Sequence, residues 1–415
     1  MFITTPRQLS SKARRFAPIP AICASLALWA CNVALPAHGF QNAKTLLQQT
    51  GAQAGIGVLI GTPSPKLVME LCKSSQLTWF VQFNDRELAD AMRVEMDTAG
   101  LLGTRVYVEQ GSPEHLPLAD NFVDNLFVID AQQGIMPTVR QEILRTLHPG
   151  AKALIGSEII TKARPPGADD WSHPYHGPDN NPQSADQHAK APYLTQFLAD
   201  PWYVPMPQVT VASGGRIFKA FGHIALKRRE WPWLNKLVAI NAYNGTHLWQ
   251  RDLTPGFMIH RNTLIATPQI VFLADNTSCK LLDANTGKLQ SEIKIPANID
   301  VDGVWKWLAL KDGILYGLVG PQEPIDEVIR GDRKPAGWPW SGLGKQYGGS
   351  YAWGFGRTLL AMNPQTGKIL WHRQWSNPID SRALCLAAGR IFVYSNQAFL
   401  TCLDAIKGSE LWHTD

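Results

Sequence analysis

Four stretches in the C-terminal half of the chain share one pattern: an apolar pair, a polar turn, a glycine and a second apolar pair. They are Ala239-Ile-Asn-Ala-Tyr-Asn-Gly-Thr-His-Leu-Trp249, Leu281-Leu-Asp-Ala-Asn-Thr-Gly-Lys-Leu-Gln290, Ala361-Met-Asn-Pro-Gln-Thr-Gly-Lys-Ile-Leu-Trp371 and Cys402-Leu-Asp-Ala-Ile-Lys-Gly-Ser-Glu-Leu-Trp412. Each reads as a β-hairpin. A short apolar run meets an Asn or Asp that suits the start of a turn, and the glycine supplies the positive φ that closes it, a conformation costly for any residue with a Cβ.

The turn glycines, Gly245, Gly287, Gly367 and Gly408, lie 42, 80 and 41 residues apart. The middle interval holds the strand-like runs 313–319 and 357–362, separated by about 37 residues rich in Gly, Pro and Trp, with no second turn motif, so it reads as one unit carrying an insertion. A period near 40 residues with several short strands per unit is the signature of a β-propeller with one four-stranded blade per repeat. A further hairpin, 383–395 turning at Gly389, precedes the last motif and supports four strands per unit.

The Ala-x-Asn/Asp-x-x-Thr-Gly-Lys-x-x-Trp pattern resembles the tryptophan-docking motif of pyrroloquinoline quinone (PQQ)-type propellers. That group includes quinoprotein alcohol dehydrogenases and the propeller lipoprotein of bacterial outer-membrane assembly. The resemblance covers about residues 206–415 and implies that Trp249, Trp371 and Trp412 each pack against a neighbouring blade, with Gln290 standing where the second copy should have its tryptophan. It implies either a PQQ- and calcium-dependent oxidoreductase or a binding and assembly module. Neither the adjacent Cys-Cys pair nor the acid and Asn set for calcium of the dehydrogenases is evident.

The N-terminal end has a different character. Arg7, Lys12, Arg14 and Arg15 precede any acid and account for most of the net charge of +5, so the remainder carries about +1, which argues against a nucleic-acid-binding surface. The basic start, the apolar run Ile19 to Leu35 and the small-residue site Ala37-His38-Gly39 together read as a signal peptide. Arg14-Arg15-Phe16 and Leu28-Trp29-Ala30-Cys31 hint at twin-arginine and lipoprotein signals. Of six cysteines, Cys23 and Cys31 fall in that segment; Cys385 and Cys402 lie on strands two apart, too far for a disulfide, and no C-x-x-C-H haem site exists.

From Gln41 to about Ser157, strands alternate with helices, which predicts a parallel sheet with crossover helices. Strands are expected at 57–60, 77–82, 105–109, 125–129 and 152–155, with helices near 65–73, 85–99 and 138–147. Residues 111–126 and 142–155 resemble the Leu-Pro-Phe and Lys-Pro-Gly-Gly segments of class I S-adenosylmethionine methyltransferases. The cofactor positions that this resemblance implies are altered: Gly61 leads into Thr62-Pro63-Ser64-Pro65 in place of a Gly-rich turn. Gln82 stands where an acid binds ribose, with Asp85 as a stand-in, and Ser112 stands where an acid reads adenine. Prolines fix φ and remove amide donors, so the pattern favours a fold kept without its cofactor.

Three further clusters are candidates for chemistry. His173, His176 and Asp179, within 169–181, could converge on a metal, or the stretch could be an ordered interdomain loop packing Trp171 and Tyr175. His260 and Arg261 could face a propeller funnel and a quinone, or be a loop histidine and a solvated arginine. The aromatic, Gly-rich insertion 338–353 could stack a ligand or cap the propeller.

The reading is a multi-domain chain: signal peptide 1–39, an α/β Rossmann-like, methyltransferase-like domain 40–160, an interdomain linker 161–205, and an all-β partial propeller of about four blades over 206–415. The expected location is periplasmic or secreted, with no transmembrane span once the signal is removed. The expected role is as a binding or assembly module with a protein or small-molecule partner at the propeller face. The rival readings are a PQQ-dependent oxidoreductase and an S-adenosylmethionine-dependent methyltransferase. An arc of four blades leaves a terminal blade face uncovered; roughly 500 Å² of apolar surface per face, at about 25 cal/mol per Å², would forgo on the order of 12 kcal/mol.

Overall fold

The computed structural model describes residues 42–129, 131, 134–190, 197–198, 204–205, 207–222, 224–225, 227–254, 262–274, 278–300, 303–322, 329–330 and 354–415. The N-terminal part runs α1 (Ala43–Thr50), β1 (Ala54–Ile60), α2 (Pro65–Ser74), β2 (Gln76–Phe83), α3 (Arg86–Thr98), β3 (Val106–Gln110), β4 (Val123–Val128), α4 (Pro137–Thr146), β5 (Leu147–Ile155) and β6 (Glu158–Thr161). One sheet of order β3-β2-β1-β4-β5-β6 results, parallel except for β6, which folds back on β5. The chain reverses direction across the sheet between β1 and β4, as in doubly wound folds.

Local chemistry places these elements. Ser64 caps α2 by accepting from Leu67 N–H, and Pro65 sits in its first turn, where a missing N–H is harmless. Asp85 caps α3 in the same way through Leu88. β1 is buried along nearly its whole length, as a central parallel strand covered on both faces must be. Leu59, Leu71, Trp79, Met92 and Phe127 pack one face of the sheet, and Val58, Ile60, Leu126, Val139 and Ile143 the other. Gly57 lets the Trp79 indole lie against the β1 backbone, because a Cβ there would sit 2.5 Å from the ring. Helix α1 and strand β6 were not evident from sequence; the first is only eight residues long and the second only four.

Four four-stranded antiparallel sheets follow. The first blade is Pro207–Ser213, Arg216–Phe221, Lys236–Asn241 and His247–Asp252; the second is Leu264–Ala266, Ile270–Ala274, Ser278–Asp283 and Leu289–Lys294. The third is Gly303–Lys311, Ile314–Pro321, Phe355–Met362 and Ile369–Asp380; the fourth is Leu384–Ala387, Arg390–Ser395, Phe399–Asp404 and Glu410–Thr414. The long interval is therefore one blade with its insertion between the second and third strands, as the spacing predicts. A two-residue parallel pair, Ile224–Ala225 with Ile329–Arg330, ties a first-blade loop to that insertion.

Successive blades share cores. Val211, Phe218 and Leu237 meet Leu264, Leu273 and Leu282. Phe272 and Leu281 meet Trp305 and Leu360, and Trp307, Leu318 and Leu359 meet Leu386, Ile391 and Leu403. Among the described residues no core cluster joins the fourth blade to the first. Every residue of the last strand, Glu410–Thr414, is exposed.

Candidate functional site

The repeat motif builds the same turn four times. In each, the Asx side chain accepts backbone N–H groups two and three residues on: Asn241 from Tyr243 and Asn244, Asp283 from Asn285 and Thr286, Asn363 from Gln365 and Thr366, Asp404 from Ile406 and Lys407. The glycines then close the turn at φ of 74°, 68°, 72° and 68°.

These turns are sockets. Trp249 lies over Gly287 of the second blade and donates from Nε1 to the Ala284 carbonyl at 3.0 Å, while Arg251 reaches the Gly287 carbonyl at 3.3 Å. Trp371 repeats this on the fourth blade: it covers Gly408 and donates to the Ala405 carbonyl at 2.9 Å, and Arg373 reaches the Gly408 carbonyl at 3.3 Å. A Cβ on either glycine would lie 2.5 Å from the indole, so the glycine is needed for the approach as well as for the turn.

The second copy needs a correction. Ala239 pairs with Trp249, Ala361 with Trp371 and Cys402 with Trp412, whereas Leu281 pairs with Ser291. Ser291, not Gln290, therefore occupies the tryptophan position; Gln290 points elsewhere and reaches the Asp283 carboxylate at 3.3 Å. Among the described residues nothing covers the socket facing it, since a Cβ on Gly367 would meet nothing within 4 Å.

At the two ends of the series of blades the motif is used differently. Trp412 is 42% exposed, against 8% for Trp249. At the other end, the Phe197 ring takes the place of a docking indole over Gly245, 2.5 Å from where its Cβ would be, and Leu198 N–H donates to the Asn244 carbonyl at 2.7 Å.

The first-blade turn also carries the domain junction. Asp124, at the start of β4 and 9% exposed, accepts from Asn241 Nδ2 at 2.6 Å, Asn244 Nδ2 at 2.8 Å and Ile56 N–H at 2.7 Å. Asn244 Nδ2 also reaches the Phe122 carbonyl at 2.8 Å. His148 Nε2 lies 3.1 Å from Asp124, and its ring stacks on Tyr243 at 4.9 Å between centroids. Gly55 makes room, as a Cβ there would collide with the Asp124 carboxylate. Sequence reasoning missed Asp124; the available signal was a pair of polar residues, Asp124-Asn125, inside an otherwise apolar strand.

Residues 169–181 run across all four blades. Trp171 and Ala212 of the first blade exchange backbone hydrogen bonds, Ser172 accepts from Ala266 of the second, and His173 Nε2 accepts from Leu310 N–H of the third at 3.1 Å. The Pro178 carbonyl then accepts from Leu386, the Asp179 carbonyl from Cys385 Sγ, and Asn180 Nδ2 donates to the Leu384 carbonyl, all in the fourth blade.

This placement defines what His173, His176 and Asp179 do. Nδ1 of His173 lies 2.8 Å from Ser172 Oγ, so both ring nitrogens are engaged, and burial pushes its pKa down to about 4. His176 Nε2 holds the Asp169 carboxylate at 2.6 Å. Burial alone would raise the Asp169 pKa, but the Ala185 N–H and His176 outweigh it and bring it to about 2. Asp179 Oδ1 accepts from Asn181 N–H. Among the described residues no group of three or more His, Cys, Asp or Glu side chains has metal-binding geometry.

At the C-terminal ends of β1 to β3 the four cofactor-like positions come together. Gly61, at φ 110°, donates its N–H to the Gln82 carbonyl at 3.3 Å. The Gln82 side chain, 1% exposed, donates from Nε2 to the Ser112 carbonyl at 2.7 Å and the His115 carbonyl at 3.4 Å. Ser112 Oγ accepts from Glu114 N–H, and Asp85 is spent on capping α3. His260, Arg261 and the insertion 338–353 lie outside the described residues.

Residues 356–415 match a PQQ-repeat family model described as outer membrane protein assembly factor BamB. Among solved structures, BamB from Moraxella catarrhalis is similar at 13% identity over 50% of this chain and 47% of its own, with a TM-score of 0.30. A putative S-adenosylmethionine-dependent methyltransferase from Methanococcus maripaludis is similar at 22% identity over 27% of this chain and 51% of its own, with a TM-score of 0.25. A methyltransferase from Aquifex aeolicus gives 20%, 27%, 61% and 0.23 for the same quantities. The chain spans about half the length of the first two. No curated protein matches it. Strand order makes the N-terminal part a doubly wound α/β domain, and the repeated turn and docking indole make the C-terminal part a set of four tryptophan-docking blades, the last of which matches the PQQ-repeat model.

Proposed function

We propose that the chain is an exported binding module in which the methyltransferase-like domain caps the first blade, and the face of the fourth blade docks a further glycine turn of the same kind. The observation that carries this reading is the difference between the two ends of the series. Asp124 and Phe197 cover the first-blade turn, whereas Trp412 stands in register with two indoles that dock and is itself exposed. Tyr394, Ile406 and Leu411 of the same blade are also at least 42% exposed, which makes an apolar surface of the kind found at contact sites. The altered positions at Gly61, Gln82, Asp85 and Ser112 support a cap without cofactor rather than a working methyltransferase. Export rests on the N-terminal residue pattern alone; among the described residues no helix is long and apolar enough to cross a membrane.

Placing a photo-crosslinking amino acid at position 412 in cells tests the docking. The expected product joins this position to a segment containing an Asx-x-x-x-Gly turn; crosslinks only to segments without one would refute the reading. Isothermal titration with S-adenosylmethionine tests the cap, and micromolar affinity would overturn it. N-terminal sequencing of the mature protein tests export, with a cut near Gly39 expected and an intact Met1 the contrary result.

A further inference from the structure

A cleft of about 530 Å³, within the range of binding clefts, lies beside the first strand of the first blade. Trp171, Pro174 and Tyr175 form one wall, and Thr210, Ala212 and Ile217 line the sheet. The strand's hydrogen-bonding directions follow from its hairpin. Ser213 and Arg216 flank the two-residue turn Gly214-Gly215, so Ser213, Val211 and Val209 face the second strand, and Ala212 and Thr210 face away from it.

Ala212 satisfies its outward groups by exchanging bonds with Trp171 at 2.7 and 2.9 Å. The next partner along that ladder, opposite Thr210, would be His173. His173 instead closes a tight pair with His176 at 3.1 and 3.2 Å and leaves the strand. The backbone N–H and C=O of Thr210 therefore have no partner among the described residues, and they face the aromatic wall.

We propose that this cleft receives an extended peptide, which pairs with Thr210 to continue the ladder begun by Trp171 and lodges apolar side chains against Trp171, Tyr175 and Ile217. The mode is strand addition: main-chain bonds give affinity, and alternate side chains give selectivity. The chain's own segment already uses the same edge one pair away, so the peptide extends an existing contact. The site is separate from Trp412 and does not depend on the docking proposed there.

Panning a phage-displayed library of linear heptapeptides on the full chain supplies the probe, and the best peptide is then synthesised and titrated by fluorescence anisotropy. Peptides with apolar, β-branched residues at alternate positions are expected. Thr210→Pro removes that N–H without breaking a sheet bond, since it makes none among the described residues, and should weaken binding at least about tenfold, as should N-methylation of the peptide amide that faces Thr210. Failure to enrich any peptide, or undiminished binding of the N-methylated peptide to the wild-type chain, would overturn the proposal; the second readout stands even if Thr210→Pro fails to fold.

Discussion

Asp124→Ala tests how the two domains are joined. The carboxylate accepts three donors, Asn241 Nδ2, Asn244 Nδ2 and Ile56 N–H, with His148 Nε2 3.1 Å away, in a place only 9% exposed. Truncation leaves Asn244 with its second partner, the Phe122 carbonyl, so two donors are orphaned outright. At about 1–3 kcal/mol for each buried donor, less the relief of no longer desolvating a carboxylate, the expected loss is about 3 kcal/mol. Urea unfolding followed by tryptophan fluorescence measures it, and hydrogen exchange locates it. Faster exchange is expected at Ile56 and in the turn 241–246, with the fourth blade unchanged. A loss below about 1 kcal/mol, or exchange that rises evenly over the chain, would show that Asp124 does not hold this junction.

Trp249→Ala should cost about 3–5 kcal/mol, because it empties a filled socket, whereas Trp412→Ala should change the stability of the isolated chain by less than about 1 kcal/mol; thermal unfolding distinguishes them. Ser291→Trp should fill the Gly367 socket and stabilise by about 1 kcal/mol, read as a higher urea midpoint. Buried, neutral His173, with its pKa near 4 against 6.5 when unfolded, binds fewer protons in the folded state. Its contribution is therefore complete above about pH 6.5 and is lost as pH falls to 4, by on the order of 3 kcal/mol. A urea series from pH 7 to 4 checks this, and in His173→Gln that component of the slope should vanish.

The repeat was legible because each of its parts has a local cause. An Asx residue, a glycine at positive φ and two apolar pairs are fixed by turn chemistry within a dozen residues, and the interval between copies then counts the blades. The docking register was legible too: each tryptophan lies four residues past its turn glycine, and the same count from Gly287 gives Ser291, not Gln290, while the bulge after Leu281 recurs after Ala239, Ala361 and Cys402 and leaves that register unchanged. Residues 169–181 were least legible. Prolines at 174 and 178 and a run of His and Asp suit a loop or a metal site equally well in sequence. Only the arrangement of four separate sheets shows that the backbone of this stretch, rather than its side chains, makes most of the cross-blade bonds. Asp124 was hidden for the same reason, since its partners lie about 120 residues away, at Asn241 and Asn244.

The position of Asp124 separates two questions that the sequence joins. It stands at the start of β4, beside Ile56 at the start of β1, so the propeller is attached to the N-terminal edge of the parallel strands. Gly61, Gln82 and Ser112 lie at the opposite, C-terminal edge, where doubly wound folds bind their ligands. Attachment of the blades therefore does not by itself cover the cofactor edge. What changes that edge is local: Gln82 holds the Ser112 carbonyl with its amide, and two prolines stand where the chain would need to approach a ligand closely. The junction at Asp124 and the edge that holds Gly61, Gln82 and Ser112 thus lie at opposite ends of the parallel strands.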